Sequence, residues 1–189
     1  MFKIVEFSHL LINEYYNKYK HPHMTFIDAT CGRGNDTIYM ANVLKTSGKV
    51  YSYDIQDIAI EYTKNELEKL NIDNVILKLD SHENISEIDV DLIIYNLGYL
   101  PNGDKTITTK ASSTINSLKK ALTLMELNPQ MLIIIVIYPG HSEGLIESTL
   151  LDEFVKNLPS NEYLVTKYLN YNRPTSPYIV TISKDEKSH

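Results

Sequence analysis

Phe26-Ile27-Asp28-Ala29-Thr30-Cys31-Gly32-Arg33-Gly34-Asn35-Asp36-Thr37 is the stretch whose reading decides the fold. It reads as a buried strand, a glycine turn and a helix N-terminus. Glycines at such a turn let a ligand lie against bare backbone, and the N–H groups of the helix point at whatever sits there. The stretch predicts a nucleotide pocket. Thr37 occupies the position of the third glycine in the dinucleotide fingerprint, which is therefore incomplete. Asp28 and Asp36 place negative charge where a diphosphate is repelled and an ammonium or a sulfonium is attracted. S-adenosylmethionine carries both of those cations, which makes it the expected cofactor, with S-adenosylhomocysteine as its product. An NAD-dependent oxidoreductase is disfavoured by the missing glycine.

Two further acids extend this site along the chain. Lys49-Val50-Tyr51-Ser52-Tyr53-Asp54 ends in a carboxylate suited to two free ribose hydroxyls. Asp80-Ser81-His82 follows the apolar run 75–79, where an acid meets an adenine amino group. Each acid alone is unremarkable, because Asp is common at strand-to-helix turns. Three at the ends of three successive strands describe an adenosine site.

The 189 residues suit one domain, 1–189, with residues 1–22 as an N-terminal helical extension, and 43% hydrophobic residues suffice for a substantial core. The longest apolar run, Met131 to Tyr138, is too short to span a bilayer, and Lys3, Glu6 and His9 interrupt any leader-like segment. A cytoplasmic protein with no membrane association is expected. The single Cys31 excludes an intrachain disulfide, and no metal is expected, because the six histidines lack metal-ligand spacing. The net charge of −6 argues mildly against clamping long nucleic acid by bulk electrostatics and leaves room for a local RNA contact. Charge is segregated: 80–91 holds five acids and no Lys or Arg, whereas 104–120 holds four lysines and one acid. Taken alone, each segment reads first as a solvated loop or helix face.

Strands are predicted near 24–28, 49–54, 74–79, 90–96, 131–138, 162–170 and 178–183. Helices are predicted over 8–20, with Ser8 as N-cap, and near 36–46, 57–70, 108–127 and 142–157. This alternation implies an α/β fold, a mainly parallel sheet with helices on both faces. Only 169–177 separates the last two strands, too few residues for a parallel crossover, so one of them runs antiparallel. A seven-stranded Rossmann-like sheet with one reversed strand is the arrangement of class I methyltransferases.

After the fourth strand comes Asn96-Leu97-Gly98-Tyr99-Leu100-Pro101, at the strand end where open α/β sheets bind ligands. Asn96 offers a carbonyl oxygen to an amine N–H, Gly98 permits close backbone approach, and Tyr99 offers a ring for stacking. The layout is similar to the Asn-Pro-Pro-Tyr motif of amino methyltransferases, with Leu97-Gly98 in place of the prolines. Tyr138-Pro139-Gly140-His141 ends the fifth strand on the same side, where His141 positions or deprotonates an acceptor or else merely enters a helix. Arg173, within Asn172-Arg173-Pro174, holds a substrate phosphate or makes a surface ion pair. Cys31 lies in the cofactor turn and the loop after strand four has no cysteine, so covalent C5 chemistry on a pyrimidine is disfavoured.

Taken together, Asp28-Ala29-Thr30-Cys31-Gly32-x-Gly34-Asn35-Asp36-Thr37, Asp54-Ile55-Gln56, Asn96-Leu97-Gly98-Tyr99-Leu100-Pro101-x-Gly103-Asp104-Lys105 and Tyr138-Pro139-Gly140-His141 resemble the YtqB-like family of class I methyltransferases, also called rRNA methylases, which includes the MnmM-type tRNA methyltransferases. Asn102 departs from the family, where glycine is frequent. The resemblance implies methylation of the aminomethyl group of 5-aminomethyl-2-thiouridine at wobble position 34 of tRNA. It implies cofactor contacts from Thr30, Gly32, Gly34, Asn35 and Gln56 beside Asp28, Asp36, Asp54, Asp80, Ser81 and His82. Asn96, Tyr99 and His141 are then the candidate catalytic residues, and Tyr99, Lys105, Lys110, Tyr138 and Arg173 the candidate contacts to a tRNA anticodon stem-loop. Methylation of rRNA or of a small-molecule amine is the alternative on the same scaffold, and a non-catalytic adenosine- or RNA-binding module is the alternative of a different class. The small size leaves room for a homodimer.

Overall fold

A computed structural model of the chain describes residues 3–98, 111–140 and 142–185. Seven strands form one sheet: β1 (Met24–Asp28), β2 (Gly48–Asp54), β3 (Val75–Leu79), β4 (Leu92–Asn96), β5 (Leu132–Ile137), β6 (Tyr163–Tyr168) and β7 (Tyr178–Lys184), in the order β3-β2-β1-β4-β5-β7-β6. The pairs β3-β2, β2-β1, β1-β4 and β4-β5 are parallel, and β7 runs antiparallel to both of its neighbours. β7 is therefore the reversed strand that the short 169–177 connection demands. Among the described residues five α-helices accompany the sheet: α1 (Ile4–Tyr19), α2 (Asn35–Leu44), α3 (Asp57–Lys69), α4 (Ala111–Leu127) and α5 (Ser142–Lys156).

The central strands are apolar throughout because both sheet faces are covered. Alternation sorts their side chains. Phe26, Leu92, Ile94, Ile134 and Val136 pack beneath α1 and α2 with Ile12, Met40 and Leu44. Ile27, Ile93, Tyr95, Ile133 and Ile135 face the other way, with Leu118 and Met125 of α4 and Leu151 and Val155 of α5. Among the described residues no helix is long and apolar enough to cross a membrane.

One expectation is corrected. Ser8 is not an N-cap: α1 begins a turn earlier, with Lys3 as its cap, and Ser8 is a buried interior residue whose hydroxyl donates to the Val5 carbonyl at 2.8 Å. Ile4 and Phe7 pack against the cluster under α1, so the apolar face itself extends back past Ser8. Tertiary burial outweighs a local capping preference there.

The order of strands reverses between β1 and β4, so their carboxyl ends flank the switch point of the sheet. Beneath it lies a fully buried acid. Asp28 accepts hydrogen bonds from the Thr37 hydroxyl at 2.6 Å and the Thr30 N–H at 3.1 Å, and Thr37 is in turn 2.6 Å from Ser52 Oγ. Burial first, and then the charge of Asp36, push the Asp28 carboxyl from 3.8 up to about 7, against the pull of those hydrogen bonds. The unfolded chain releases this proton near the ordinary carboxylate value, so between the two pH values the native state binds more protons than the unfolded one. Stability carried by this group is thus fully present below the lower value and is lost as pH rises through about 7. Asp28→Asn, which keeps an acceptor for Thr37, is expected to flatten the dependence of unfolding free energy on pH across that window. Urea titrations of both proteins over a pH series measure it, and parallel curves would show that Asp28 does not carry the slope.

Candidate active site

The glycine turn is built as its sequence requires. Gly32 and Gly34 have φ of 54° and 73°, a left-handed conformation that side chains with a Cβ disfavour. The Gly34 N–H closes the turn on the Cys31 carbonyl at 2.8 Å, while the Cys31 N–H reaches Tyr53 in β2 at 2.8 Å. Cys31 itself is buried, and its thiol donates to Thr63 Oγ1 at 3.3 Å. It is packing beneath the turn, and burial pushes its thiol up to about 12. Such a thiol is a poor nucleophile at neutral pH.

Asp54 ends β2 beside this turn. Its Oδ2 accepts the Gly32 N–H at 2.8 Å and its Oδ1 accepts the Gln56 N–H at 2.9 Å. Burial raises its pKa and the backbone donors oppose that rise. The carboxylate therefore locks the turn to the strand end, with spare lone pairs for hydroxyls of a ligand. Asp80 follows β3, where its Oδ1 accepts the Ser81 N–H and the Asn84 amide, each at 2.7 Å, and those bonds lower its pKa. Its neighbour Ser81 caps a short turn by accepting the Glu83 N–H at 3.2 Å. His82 is buried with its ring edge against Tyr95, and burial lowers its pKa. Its Nδ1 is the one buried side-chain polar atom among the described residues that lacks a hydrogen-bond partner. An orphaned polar atom at a strand end is the kind a ligand satisfies.

Across the switch point the Asn96 N–H donates to Thr30 Oγ1 at 2.7 Å, tying the end of β4 to the end of β1. The Asn96 side-chain amide donates to Asp36 Oδ2 at 2.9 Å. A carboxylate only accepts, so the atom of Asn96 facing it is the nitrogen, and the carbonyl Oδ1 faces away. Just past β5, burial and then the Asp36 charge push the Tyr138 hydroxyl up to about 12, against the opposing pull of the Asn96 side chain. Gly98, next along the loop, lies against the Tyr138 ring, since a Cβ there would sit 3.7 Å from Cδ2.

Sequence reasoning missed His9. This residue of α1 places Nε2 2.7 Å from Asp36 Oδ1, with its ring stacked on Tyr39 at 3.9 Å. One polar residue on the otherwise apolar face that carries Ile12 and Tyr16 is the signal that points to it. Asp36, expected beside the cofactor's cation, thus engages His9 with one oxygen and Asn96 with the other. Asn35 opens α2 with an exposed side chain, and Arg173 is exposed in the loop before β7. Tyr99, Lys105, Lys110 and His141 lie outside the described residues.

Comparisons with known proteins fit this geometry. The family model described as Putative rRNA methylase matches residues 50–184. The chain is 36% identical to the chloroplastic tRNA (mnm(5)s(2)U34)-methyltransferase of Arabidopsis thaliana over 86% of its own length, and it spans 64% of the length of that curated relative. A crystal structure of a Clostridium thermocellum protein described as an rRNA-methylase shares 35% identity and a TM-score of 0.88, covering 98% of this chain and 99% of that one. A Streptococcus mutans methyltransferase crystallised with SAH shares 31% identity and a TM-score of 0.82, with the same coverage.

Proposed function

We propose a specific reaction for this chain, which belongs to the Putative rRNA methylase family: S-adenosylmethionine-dependent N-methylation of the aminomethyl group of 5-aminomethyl-2-thiouridine at tRNA position 34, giving 5-methylaminomethyl-2-thiouridine. The observation that carries it is Asn96, fixed at the end of β4 by Thr30 and Asp36 so that its carbonyl faces away from the carboxylate. A carbonyl so held accepts an N–H and orients an amine lone pair.

The donor set fits the cofactor. Asp54 ends β2 and Asp80 follows β3, Gly32 and Gly34 bare the backbone of the turn between β1 and α2, and the cation of that turn, Arg33, lies over the Tyr62 ring of α3. Asp54 is placed to accept ribose hydroxyls, and Asp80 with His82 offers polar atoms to a base edge. When bound, S-adenosylmethionine supplies an electrophilic methyl on a sulfonium, and S-adenosylhomocysteine leaves with the electron pair of the broken carbon–sulfur bond. The chain's task is alignment. Asn96 holds the neutral amine, whose lone pair forms the new carbon–nitrogen bond while its surplus proton passes to a base or to water. Tyr138 and Gly98 wall the same end of the sheet. Tyr99, Lys105, Lys110, His141 and Arg173 complete the proposal with the roles that the sequence assigns them, contacts to the acceptor base, its proton and the tRNA phosphates.

Mass analysis of tRNA nucleosides from a strain lacking the gene tests the reaction. Accumulation of the unmethylated aminomethyl nucleoside is expected. An unchanged tRNA profile removes the proposal and turns the search to rRNA or to small amines.

The cofactor half has its own test. Asp54→Ala removes the acceptor for the Gly32 and Gln56 N–H groups and for the ribose, and should weaken S-adenosylhomocysteine binding by about 1–3 kcal/mol, the range for hydrogen bonds to a charged group. Calorimetry on folded protein reads this directly, and equal affinity in variant and wild type would take Asp54 out of the pocket.

A further inference from the structure

We propose that His9 and Asp36 are positioning residues for methyl transfer: together they fix the amide of Asn96 with its carbonyl toward the acceptor. The inference rests on the amine-methylation reading above.

An asparagine amide can sit in either of two orientations that differ by a half-turn, and only one presents oxygen to an N–H donor. Nothing in the backbone of β4 chooses between them. Asp36 does, because an amide oxygen turned toward its carboxylate would be repelled, whereas the amide nitrogen donates to Oδ2 at 2.9 Å. Asp36 must itself be held, since a carboxylate at the first turn of a helix can rotate about χ2. His9 holds it through Oδ1 at 2.7 Å. The imidazole is in turn clamped flat against Tyr39 of the same helix as Asp36, at 3.9 Å and 12° between planes.

The chain His9, Asp36, Asn96 therefore runs from α1 through α2 to β4, over sequence separations of 27 and 60 residues. Asp36 is 4% exposed, so its hydrogen bonds act with little competition from water. Donation from Nδ2 to a carboxylate also polarises the amide and makes Oδ1 the stronger acceptor. His9 touches none of the reacting atoms in this scheme. It acts only through Asn96, and that is the testable content.

Two variants separate the hydrogen bond from the packing. His9→Phe keeps a ring to stack on Tyr39 and deletes the N–H, whereas His9→Gln restores an N–H at similar reach without the ring. With tRNA bearing the aminomethyl group and saturating cofactor, His9→Phe should lower the single-turnover rate constant about tenfold, the scale of a slightly misplaced reacting group. His9→Gln should remain within about threefold of wild type, and S-adenosylhomocysteine affinity should be unchanged in both. In an Asn96→Ala background His9→Phe should change the rate less than about twofold, because its route to the chemistry is gone. A full tenfold loss in both backgrounds, a His9→Phe enzyme as fast as wild type, or a His9→Gln enzyme as slow as His9→Phe would each overturn the proposal. A wild-type enzyme that methylates no such tRNA overturns the function instead. In that event the positioning claim is read by NMR of the Asn96 side-chain amide: the carboxylate-bonded proton should be shifted downfield in wild type and His9→Gln and lose that shift in His9→Phe, and identical spectra in all three refute it.

Discussion

Asn96→Ala is expected to lower methyl transfer by about 10²-fold or more while leaving the cofactor bound, since misplacing a reacting group can cost that much. The prediction follows from how Asn96 is anchored. Its backbone N–H is committed to Thr30 and its side-chain nitrogen to Asp36, so truncation removes the carbonyl without disturbing the strand end. The Asp36 carboxylate then loses one partner and keeps His9. Single-turnover transfer to tRNA carrying the aminomethyl group, beside separate binding of S-adenosylhomocysteine and of tRNA, distinguishes lost alignment from lost affinity. A variant that transfers at nearly the wild-type rate would make this loop architecture only, and would move the reaction centre toward the loop after β5.

Much of the fold is legible because its elements are specified locally. Met131 to Tyr138 contains an unbroken run of apolar residues, five of them Ile or Val, and a strand buried on both faces is the structure that such a run satisfies. Gly32 and Gly34 mark a turn, and the structure finds both at positive φ. That one of the last two strands is reversed was readable from arithmetic alone, because nine residues do not complete a parallel crossover, whereas the pairings of the sheet show that it is β7. The start of α1 was not: Ser8 is a good cap in isolation, and only the cluster that buries Ile4 and Phe7 shows that the helix has already begun.

The site divides along the same line. Asp54 and Asn96 stand at strand ends whose positions follow from strand length, so their placement beside the glycine turn needed no long-range information. The partners of Asp36 did need it. Its acidic character suggested a cation nearby, but the groups that occupy its two oxygens come from 27 residues earlier and 60 residues later. His9 carries no motif, and its role exists only once α1 is laid across α2. Asp28 likewise looks in sequence like a ligand-facing acid, whereas the structure buries it wholly on Thr37 and the Thr30 N–H, where it braces the turn from below.

Gly34→Ala should be the most destabilising single change at this site. A Cβ at Gly34 would lie 2.6 Å from Cγ2 and 2.8 Å from Oγ1 of Thr63, and the residue sits at φ 73°. The left-handed conformation costs about 1–2 kcal/mol for a residue with a Cβ, and overpacking a filled site costs about 1–3 kcal/mol more. Thr63 has little freedom to yield, because it is fully buried, accepts from the Cys31 thiol at 3.3 Å and donates to the Gly32 carbonyl at 3.4 Å. A total of roughly 2–5 kcal/mol is therefore expected from urea unfolding, together with weaker S-adenosylhomocysteine binding as the glycine backbone is pushed into the space that the ligand needs. Thr63→Ala removes both of the colliding atoms, leaving a Cβ 3.2 Å away. In that background the same substitution should cost only the conformational share, about 1–2 kcal/mol. If the penalty is instead equal in both backgrounds, backbone conformation alone accounts for the glycine, and Thr63 is not the wall that holds the turn against its ligand.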